Sequence, residues 1–355
     1  MNFNVFEMLG LLQPEELSLC RKLFGSDPVS VCGLPKSGSD RNYFRIFYAD
    51  GKSVILCRSK NIEENKVFID LCNSLFSNGM NVPEILAVSF GYESYIQTDL
   101  GNISLFDEVT EKESAPSGSL CLRPESRKIV LKTLETMVAL QSQPSKVWEP
   151  YIGFPPLGPD LIKYDFQYFL NQFILPSAVD FDRIGVDRNL ALLGERLASY
   201  PREVSGFMYR DFQSRNVMLH AADGSGDLKP YFIDFQSARR GPCVYDLVSF
   251  VWQAKAAYTD DERRDFIDHY VKCYSDTNAV GEDLLRRLIP LWATFRVMQV
   301  LGAYGLRGLK EGKQHFIDSI PFAVANLFDL LSLPEMKEFT SLFNLAEILM
   351  IKTNR

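Results

Sequence analysis

The sequence has few of the residues that build metal centres, disulfide frameworks or histidine-dependent active sites. Among 355 residues there are three histidines, His220, His269 and His315, which are scattered and accompany no nucleophile motif. A histidine-based metal site or a Ser-His-Asp triad is therefore not expected. The seven cysteines form no CxxC pair, which argues against a zinc site or disulfides and favours reduced thiols in a cytoplasmic protein.

Long apolar runs and an excess of basic residues are also missing. No stretch approaches 18 uncharged apolar residues, and the N-terminal segment lacks the basic start of a secretory signal. The formal net charge is −7, whereas a surface that binds nucleic acid is basic. We expect no nucleic-acid partner and no membrane partner. The oligomeric state is left open, and a monomer is compatible with the composition.

The first hundred residues alternate between helical and strand-like patterns. A helix is predicted from Pro14 to a stop at Gly25. Three strand-like runs follow, and Asp50-Gly51 between the last two is a strong hairpin signal. A second helical pattern, closed by Gly79, precedes two more strands. The sequence therefore predicts three strands, a helix and two further strands.

Beyond residue 100 the pattern changes. The polar stretch 107–124 is predicted to be a mobile connection or loop, and the patterns from 125 onward are mainly helical. The exception is 206–236, where three short strand-like runs surround a hairpin tip. The length suits two domains. We expect an α+β protein with a small β-rich lobe at 1–100 and a mainly helical lobe at 101–355.

The chemistry is concentrated in "YRDFQSRN" and "YFIDFQ". These motifs place Asp211 five residues before Asn216 and put Asp234 at the end of an apolar strand. A carboxylate can accept the proton of a substrate hydroxyl, whereas an amide oxygen and a second carboxylate suit magnesium on phosphates. The pattern favours phosphoryl transfer from ATP.

These motifs resemble the catalytic loop of the protein kinase-like folds, H-R-D-L-x-x-x-N, followed by D-F-G. Within that fold, "YRDFQSRNVML" and "FIDFQSARRGPCVYDLVSF" are similar to the aminoglycoside phosphotransferase branch, and more narrowly to bacterial anomeric kinases of N-acetylmuramate and N-acetylglucosamine. "GSDRNYFRI", "DLG" and "FRVMQVLGAYGLRGLKEGK" extend the similarity over most of the chain. The resemblance implies a two-lobed kinase-like fold that binds ATP and Mg²⁺ around a hinge at 97–101.

The resemblance also implies roles for individual residues. Asp211 would be the catalytic base, with Arg210 as an electrostatic partner, and Asn216 and Asp234 would bind magnesium. Asp246 would be structural, since its carboxylate would accept hydrogen bonds from the catalytic loop. The remaining implied contacts are with the nucleotide, at Ser37, Gly38, Ser39, Arg58, Gln97 and Asp99, and with the substrate, at Gln213, Arg215 and Gln236.

Three positions depart from the kinase pattern. Tyr209 stands in place of the usual His, and Gln236 in place of the Gly of D-F-G. The third strand has Cys57 where protein kinases carry a phosphate-pairing Lys. Arg58 or Lys60 is a candidate replacement, with Glu64 as a partner.

The implied acceptor is a small molecule, an amino sugar phosphorylated at its anomeric hydroxyl during cell-wall recycling. Two alternatives remain open. One is a kinase for another acceptor, such as an aminoglycoside, choline or an amino acid. The other is a catalytically silent nucleotide-binding protein. Arg239 and Arg240, which follow the metal motif, are either solvated or meet an anionic substrate.

Overall fold

The computed structural model describes residues 10–35, 40–114, 120–221 and 226–353. The chain forms two compact units, each drawn from separate stretches of sequence. The described residues of the first come from Met1–Ile103, Pro144–Gly153 and Val217–Ser237, and those of the second from Ser104–Gln143, Phe154–Asn216 and Ala238–Arg355.

The first unit is built on a five-stranded antiparallel sheet with the strand order β1-β2-β3-β5-β4. Its elements follow one another as predicted, which confirms three strands, a helix and two further strands. They are α1 (Pro14–Phe24), β1 (Ser30–Gly33), β2 (Asn42–Phe47), β3 (Ser53–Arg58), α2 (Ile62–Ser77), β4 (Ile85–Val88) and β5 (Ser94–Thr98).

The predicted turn glycines end the elements of this unit. Gly25 closes α1 at a φ of 67°, Gly51 lies in the β2–β3 turn at 83°, and Gly79 follows α2 at 76°. Only glycine adopts such left-handed backbone without steric cost. The side chain of Asn61 accepts a hydrogen bond from the backbone N–H of Glu64 and so caps the start of α2.

The remaining strands form three two-stranded ribbons, in the antiparallel pairs β6–β7, β8–β11 and β9–β10. They are β6 (Lys112–Ser114), β7 (Leu120–Leu122), β8 (Ser205–Met208), β9 (Val217–His220), β10 (Lys229–Phe232) and β11 (Arg239–Pro242). The three strand-like runs predicted within 206–236 are confirmed as β8, β9 and β10. The sequence analysis did not predict β11, which pairs with β8.

The remaining helices make the second unit mainly helical, as the sequence predicts. Its helices are α3 (Leu105–Thr110), α4 (Pro124–Gln141), α6 (Pro159–Phe169), α7 (Leu175–Ser177), α8 (Arg183–Ala198), α9 (Val244–Val251), α10 (Asp260–Asn278), α11 (Glu282–Tyr304), α12 (Gln314–Ile317), α13 (Ile320–Leu331) and α14 (Thr340–Thr353), whereas α5 (Ser145–Trp148) lies in the first unit. Two π-helical stretches, Leu170–Ile174 and Gly305–Lys310, continue α6 and α11.

The prediction of a connection without regular structure at 107–124 is wrong for its described residues. Ser104 and Asp107 form a reciprocal capping box at the start of α3, because each side chain accepts a hydrogen bond from the backbone N–H of the other residue. The β6–β7 ribbon follows directly. The described polar residues of this stretch thus include a helix cap at Asp107 and a partly exposed ribbon.

The β9–β10 hairpin is held in the first unit by two backbone hydrogen bonds. The N–H of Leu219 donates to the carbonyl of Ile103 over 2.8 Å, and the N–H of Phe232 donates to the carbonyl of Asn81 over 2.8 Å. Asp234 lies two residues beyond the end of β10, so these bonds connect the hairpin that precedes it to residues on either side of β4 and β5.

All seven cysteines are free thiols. In the described ranges, no helix combines the length and apolar character that crossing a membrane requires.

The buried carboxylate of Glu16 joins α1 to the sheet. It is 1% exposed and accepts hydrogen bonds from Arg58 Nε at 2.7 Å, from the backbone N–H of Gln13 at 2.8 Å and from the hydroxyl of Ser94. Burial by itself raises the pKa of Glu16, but the hydrogen bonds from Arg58 and Ser94 lower it overall. Its contribution to stability is therefore present above the usual Glu pKa and is lost as the pH falls.

We predict that Glu16→Ala lowers the free energy of unfolding by about 3 kcal/mol at pH 7, because it leaves the Arg58 guanidinium without its carboxylate. Urea unfolding measures the loss, which should shrink below pH 4.5. Glu15→Ala is the matched control on the exposed side of the same turn and should cost under about 0.5 kcal/mol. Equal effects of the two substitutions would contradict this account.

Candidate active site

The carboxylate of Asp246 holds the loop that contains Arg210 and Asp211 through hydrogen bonds to its backbone. Asp246 is fully buried in α9 and accepts hydrogen bonds from the backbone N–H of Tyr209 at 2.8 Å and of Arg210 at 2.9 Å. The side chain of Gln141 donates a third, at 3.0 Å. Burial raises the pKa of Asp246 to about 7, although these donors favour the ionised form. These are the contacts that the resemblance implies for a structural Asp246.

Two more hydrogen bonds close the loop on itself. The amide nitrogen of Asn216 donates to the carbonyl of Asp211 at 2.9 Å, and the hydroxyl of Tyr209 donates to the carbonyl of Asn216 at 3.4 Å. Tyr209 is fully buried against Phe212, with ring centroids 5.6 Å apart. Tyr209 thus braces the loop through packing and a hydroxyl, where the kinase pattern has a His. Because the nitrogen of Asn216 is engaged, its amide oxygen is the atom that a cation can use.

Asp211 lies beside Arg296, and Arg210 lies beside Asp165. The Arg296 Nη2 atom is 3.6 Å from Asp211 Oδ1, and the Asp211 side chain is 45% exposed. Arg210 has a φ of 76°, an unusual backbone conformation for a residue with a side chain, and its Nη2 atom is 3.3 Å from Asp165 Oδ2. The exposed carboxylate of Asp211 is therefore accessible to a substrate, whereas the guanidinium of Arg210 is largely buried and pairs with Asp165.

Arg239 adds another buried cation to this part of the second unit. It is 6% exposed, its guanidinium lies 4.9 Å from the ring centre of Phe154, and within the described part of the chain it forms no ion pair. Burial and the neighbouring Arg210 charge lower the pKa of Arg239 to about 10. The carboxylates of Asp165 and Asp211 act in the opposite direction, and at neutral pH Arg239 is still charged.

The second motif places Asp234 in the first unit. Asp234 has a φ of 64°, and the side chain of Gln236 donates to its Oδ1 atom at 3.0 Å. Gln236 stands where D-F-G has Gly, so the departure from the kinase pattern supplies a donor that orients the carboxylate. A guanidinium atom of Arg41, Nη1, lies 3.8 Å from the same oxygen.

Several residues predicted to contact the nucleotide have other partners. Arg58 pairs with Glu16, and Asp99 accepts from the Nη2 atom of Arg45 at 3.0 Å and from the Ser53 hydroxyl at 2.7 Å. Gln97 is 8% exposed on β5. Nucleotide contacts at these positions stay predictions, and Ser37, Gly38 and Ser39 lie outside the described residues.

The predicted substrate residues Gln213 and Arg215 lie in the loop that contains Asp211. The carbonyl of Gln213 accepts from the backbone N–H of Asn216 at 2.9 Å. The exposed Arg215 stacks over Phe106 in α3, 3.8 Å from the ring centre. Their roles toward a substrate stay predictions.

One sequence-based pairing needs correction. Glu64 does not pair with Arg58 or Lys60; its Oε1 atom lies 3.2 Å from Arg41 Nη2, and Lys60 is exposed. Arg41 immediately precedes β2, two residues before Tyr43, which lies opposite Cys57 in the β2–β3 register. Strand alternation around Tyr43 is the signal that points to Arg41. For Arg296 and Asp165, which come from separate helices, the sequence offers no comparable signal.

A separate surface group contains Glu135, His269 and Cys273. Their potential ligand atoms lie within 4.8 Å of one another. His269 Nε2 is 3.0 Å from Glu135 Oε1, so an ordinary surface pair accounts for the cluster.

Comparison with known proteins agrees with the motifs. The model of the phosphotransferase enzyme family matches residues 31–284, more than half of the chain. The chain is 22% identical over 287 residues to an N-acetylmuramate/N-acetylglucosamine kinase of Neisseria meningitidis, covering 79% of each chain. It is also 22% identical over 310 residues to the kinase of the same description from Pseudomonas aeruginosa, covering 83% of this chain and 81% of that one.

Solved structures show the same fold. The GDP and kanamycin complex of an aminoglycoside phosphotransferase aligns with a TM-score of 0.60 at 16% identity, covering 88% of this chain and 98% of that one. This likeness confirms the predicted α+β, protein kinase-like fold.

The dependence of the loop on Asp246 can be tested directly. We predict that Asp246→Ala lowers the free energy of unfolding by about 3 kcal/mol, because two buried backbone donors lose their acceptor. Amide hydrogen exchange should accelerate at Tyr209 and Arg210. Asp283→Ala, at an exposed position of the same unit, is the control and should leave exchange unchanged. Unaltered protection of Tyr209 and Arg210 in Asp246→Ala would refute the role given to the carboxylate.

Proposed function

The chain belongs to the phosphotransferase enzyme family, and from that premise we propose that it transfers the γ-phosphoryl group of ATP to a hydroxyl of an amino sugar. Family membership makes it a small-molecule phosphotransferase. The finer proposal is supported by the two curated relatives, which are described as N-acetylmuramate/N-acetylglucosamine kinases. In this proposal the phosphoryl group is transferred to the anomeric hydroxyl of the sugar.

Asp211 is the residue that we assign to the acceptor hydroxyl, and its setting is the observation that carries the proposal. Its backbone is held by the hydrogen-bonded loop that Asp246 supports, while its carboxylate is 45% exposed. A carboxylate so placed can orient a hydroxyl and accept its proton as the phosphoryl group is transferred. Arg296, 3.6 Å away, helps to fix the carboxylate.

We propose Asn216, in the second unit, and Asp234, in the first, each as a magnesium ligand. The donor chemistry fits, since both offer the oxygen atoms that Mg²⁺ prefers. The Asn216 amide is turned by its bond to the Asp211 carbonyl, and the Asp234 carboxylate is oriented by Gln236. Bound magnesium would neutralise charge on the phosphates.

The charges near Asp211 bear on the choice of acceptor. Arg296 lies beside Asp211, and the buried Arg239 forms no ion pair among the described residues, although the carboxylates of Asp165 and Asp211 act on it electrostatically and raise its pKa. Placing a cationic ligand beside a guanidinium brings two positive charges together, which weakens binding of that ligand. Cationic acceptors such as kanamycin or choline are therefore poorer candidates than a neutral or anionic sugar. N-acetylmuramate carries a carboxylate that a guanidinium such as that of Arg239 can bind.

We predict that Asp211→Asn lowers kcat for transfer at least about 1000-fold, because the acceptor hydroxyl loses its base. Binding of Mg-ATP, measured by calorimetry, should change less than about threefold, because the carboxylate is assigned to the acceptor. Asp283→Asn, at an exposed site, should retain full activity. Near-normal turnover by Asp211→Asn would rule out the assigned role.

A panel of acceptors tests the substrate. With Mg-ATP, we expect N-acetylmuramate and N-acetylglucosamine to stimulate ADP release, and NMR of the product to show phosphate on the anomeric oxygen. Kanamycin and choline should not stimulate it. Arg239→Met should raise KM for N-acetylmuramate about tenfold and leave KM for N-acetylglucosamine nearly unchanged. If the protein phosphorylates only a cationic acceptor, the proposal of an amino sugar as the substrate is wrong. If wild-type protein neither binds Mg-ATP nor responds to any acceptor, the silent nucleotide-binding alternative would be favoured.

A further inference from the structure

The guanidinium of Arg41 is a buried charge whose hydrogen-bonding capacity is largely unused. Arg41 is 3% exposed, and none of its three guanidinium nitrogens meets an acceptor in hydrogen-bonding geometry among the described residues. Its two carboxylate neighbours, Glu64 and Asp234, approach only to 3.2 and 3.8 Å. Buried charged donors are normally satisfied, so an unused set of this kind requires an explanation.

The packing around Arg41 fixes where the guanidinium lies. It stands over the ring of Phe68 in α2, 5.7 Å from the centroid, and Phe68 stacks on Phe235 with centroids 5.0 Å apart. Phe235 directly follows Asp234. The aromatic pair therefore holds the cation beside the residue assigned to magnesium, within the first unit.

The sheet shows why an arginine occupies this position. Tyr43 lies opposite Cys57, and Cys57 lies opposite Tyr95, so the three side chains form one row across β2, β3 and β5. The row contains no cation, and Arg58, the next residue on β3, pairs with Glu16 on the other side of the sheet. Arg41 is two residues from Tyr43 and extends the same face. Arg41 thus supplies a positive charge on the face of the sheet that carries Tyr43, Cys57 and Tyr95, where β3 has no cation.

We infer that Arg41 binds the phosphate groups of the nucleotide and takes the place of a cation on the third strand. The inference rests on the proposed function. A guanidinium presents donors in a planar fork that matches phosphate oxygens, and Glu64 steadies it. Arg41, Glu64 and Asp234 together carry one net negative charge, so the phosphates are expected to bind together with magnesium.

Nucleotide binding by Arg41→Met separates this role from a purely structural one. We expect the Kd for Mg-ATP, measured by calorimetry, to rise about 10- to 100-fold. Adenosine, measured by competition with a fluorescent ATP analogue, should bind as well as it does to the wild type, because it has no phosphate. Arg21→Met, at an exposed position of α1, is the control and should leave both affinities unchanged.

Arg41→Lys provides the second variant. Because it keeps the charge and loses the fork, its Kd for Mg-ATP should rise several-fold, by less than in Arg41→Met. Should Arg41→Met not fold, this variant decides the question in the same two assays. Unchanged affinity for Mg-ATP, or equal losses for Mg-ATP and adenosine, would overturn the inference. A wild type that does not bind Mg-ATP would instead refute the proposed function on which the inference rests.

Discussion

The second unit depends on one buried carboxylate. Asp246 gathers the backbone N–H groups of Tyr209 and Arg210 and the side chain of Gln141, and this holds Arg210 in a left-handed conformation that costs about 1 kcal/mol or more. Leaving these donors unpaired in the interior would cost more than the strain. Asp211, whose side chain is 45% exposed, directly follows Arg210 in this loop.

The first unit contains a buried cation, Arg41. Its sheet places Tyr43, Cys57 and Tyr95 in one uncharged row, and Arg41 at the edge of that row carries the charge. Glu64 compensates part of its desolvation, and Phe68 contacts its face. The incomplete hydrogen bonding that remains distinguishes Arg41 from Arg58, which is fully engaged by Glu16 in the same unit.

Both units contain carboxylates and buried guanidinium groups. Carboxylate and amide oxygens are hard ligands of the kind that magnesium prefers, and guanidinium groups suit phosphates and carboxylates, which is the basis of the roles that we propose for them. Arg239 is the clearest case, since burial and the nearby Arg210 lower its pKa yet leave it protonated at neutral pH. In the proposed function, the guanidinium groups of Arg239 and Arg296 in the second unit would favour an acceptor that carries no positive charge.

The sequence by itself determined the order of elements in residues 1–100, the mainly helical character of the chain beyond them and the two motifs that contain Asp211, Asn216 and Asp234. These depend on local signals, namely turn glycines, apolar periodicity and fixed spacing within a loop. Tertiary structure decided the partner of Glu64, the engagement of Arg58 by Glu16, and the placement of Arg296 beside Asp211. Ion pairs between residues far apart in sequence depend on how strands and helices pack, and a long charged side chain has no periodicity that reveals its partner.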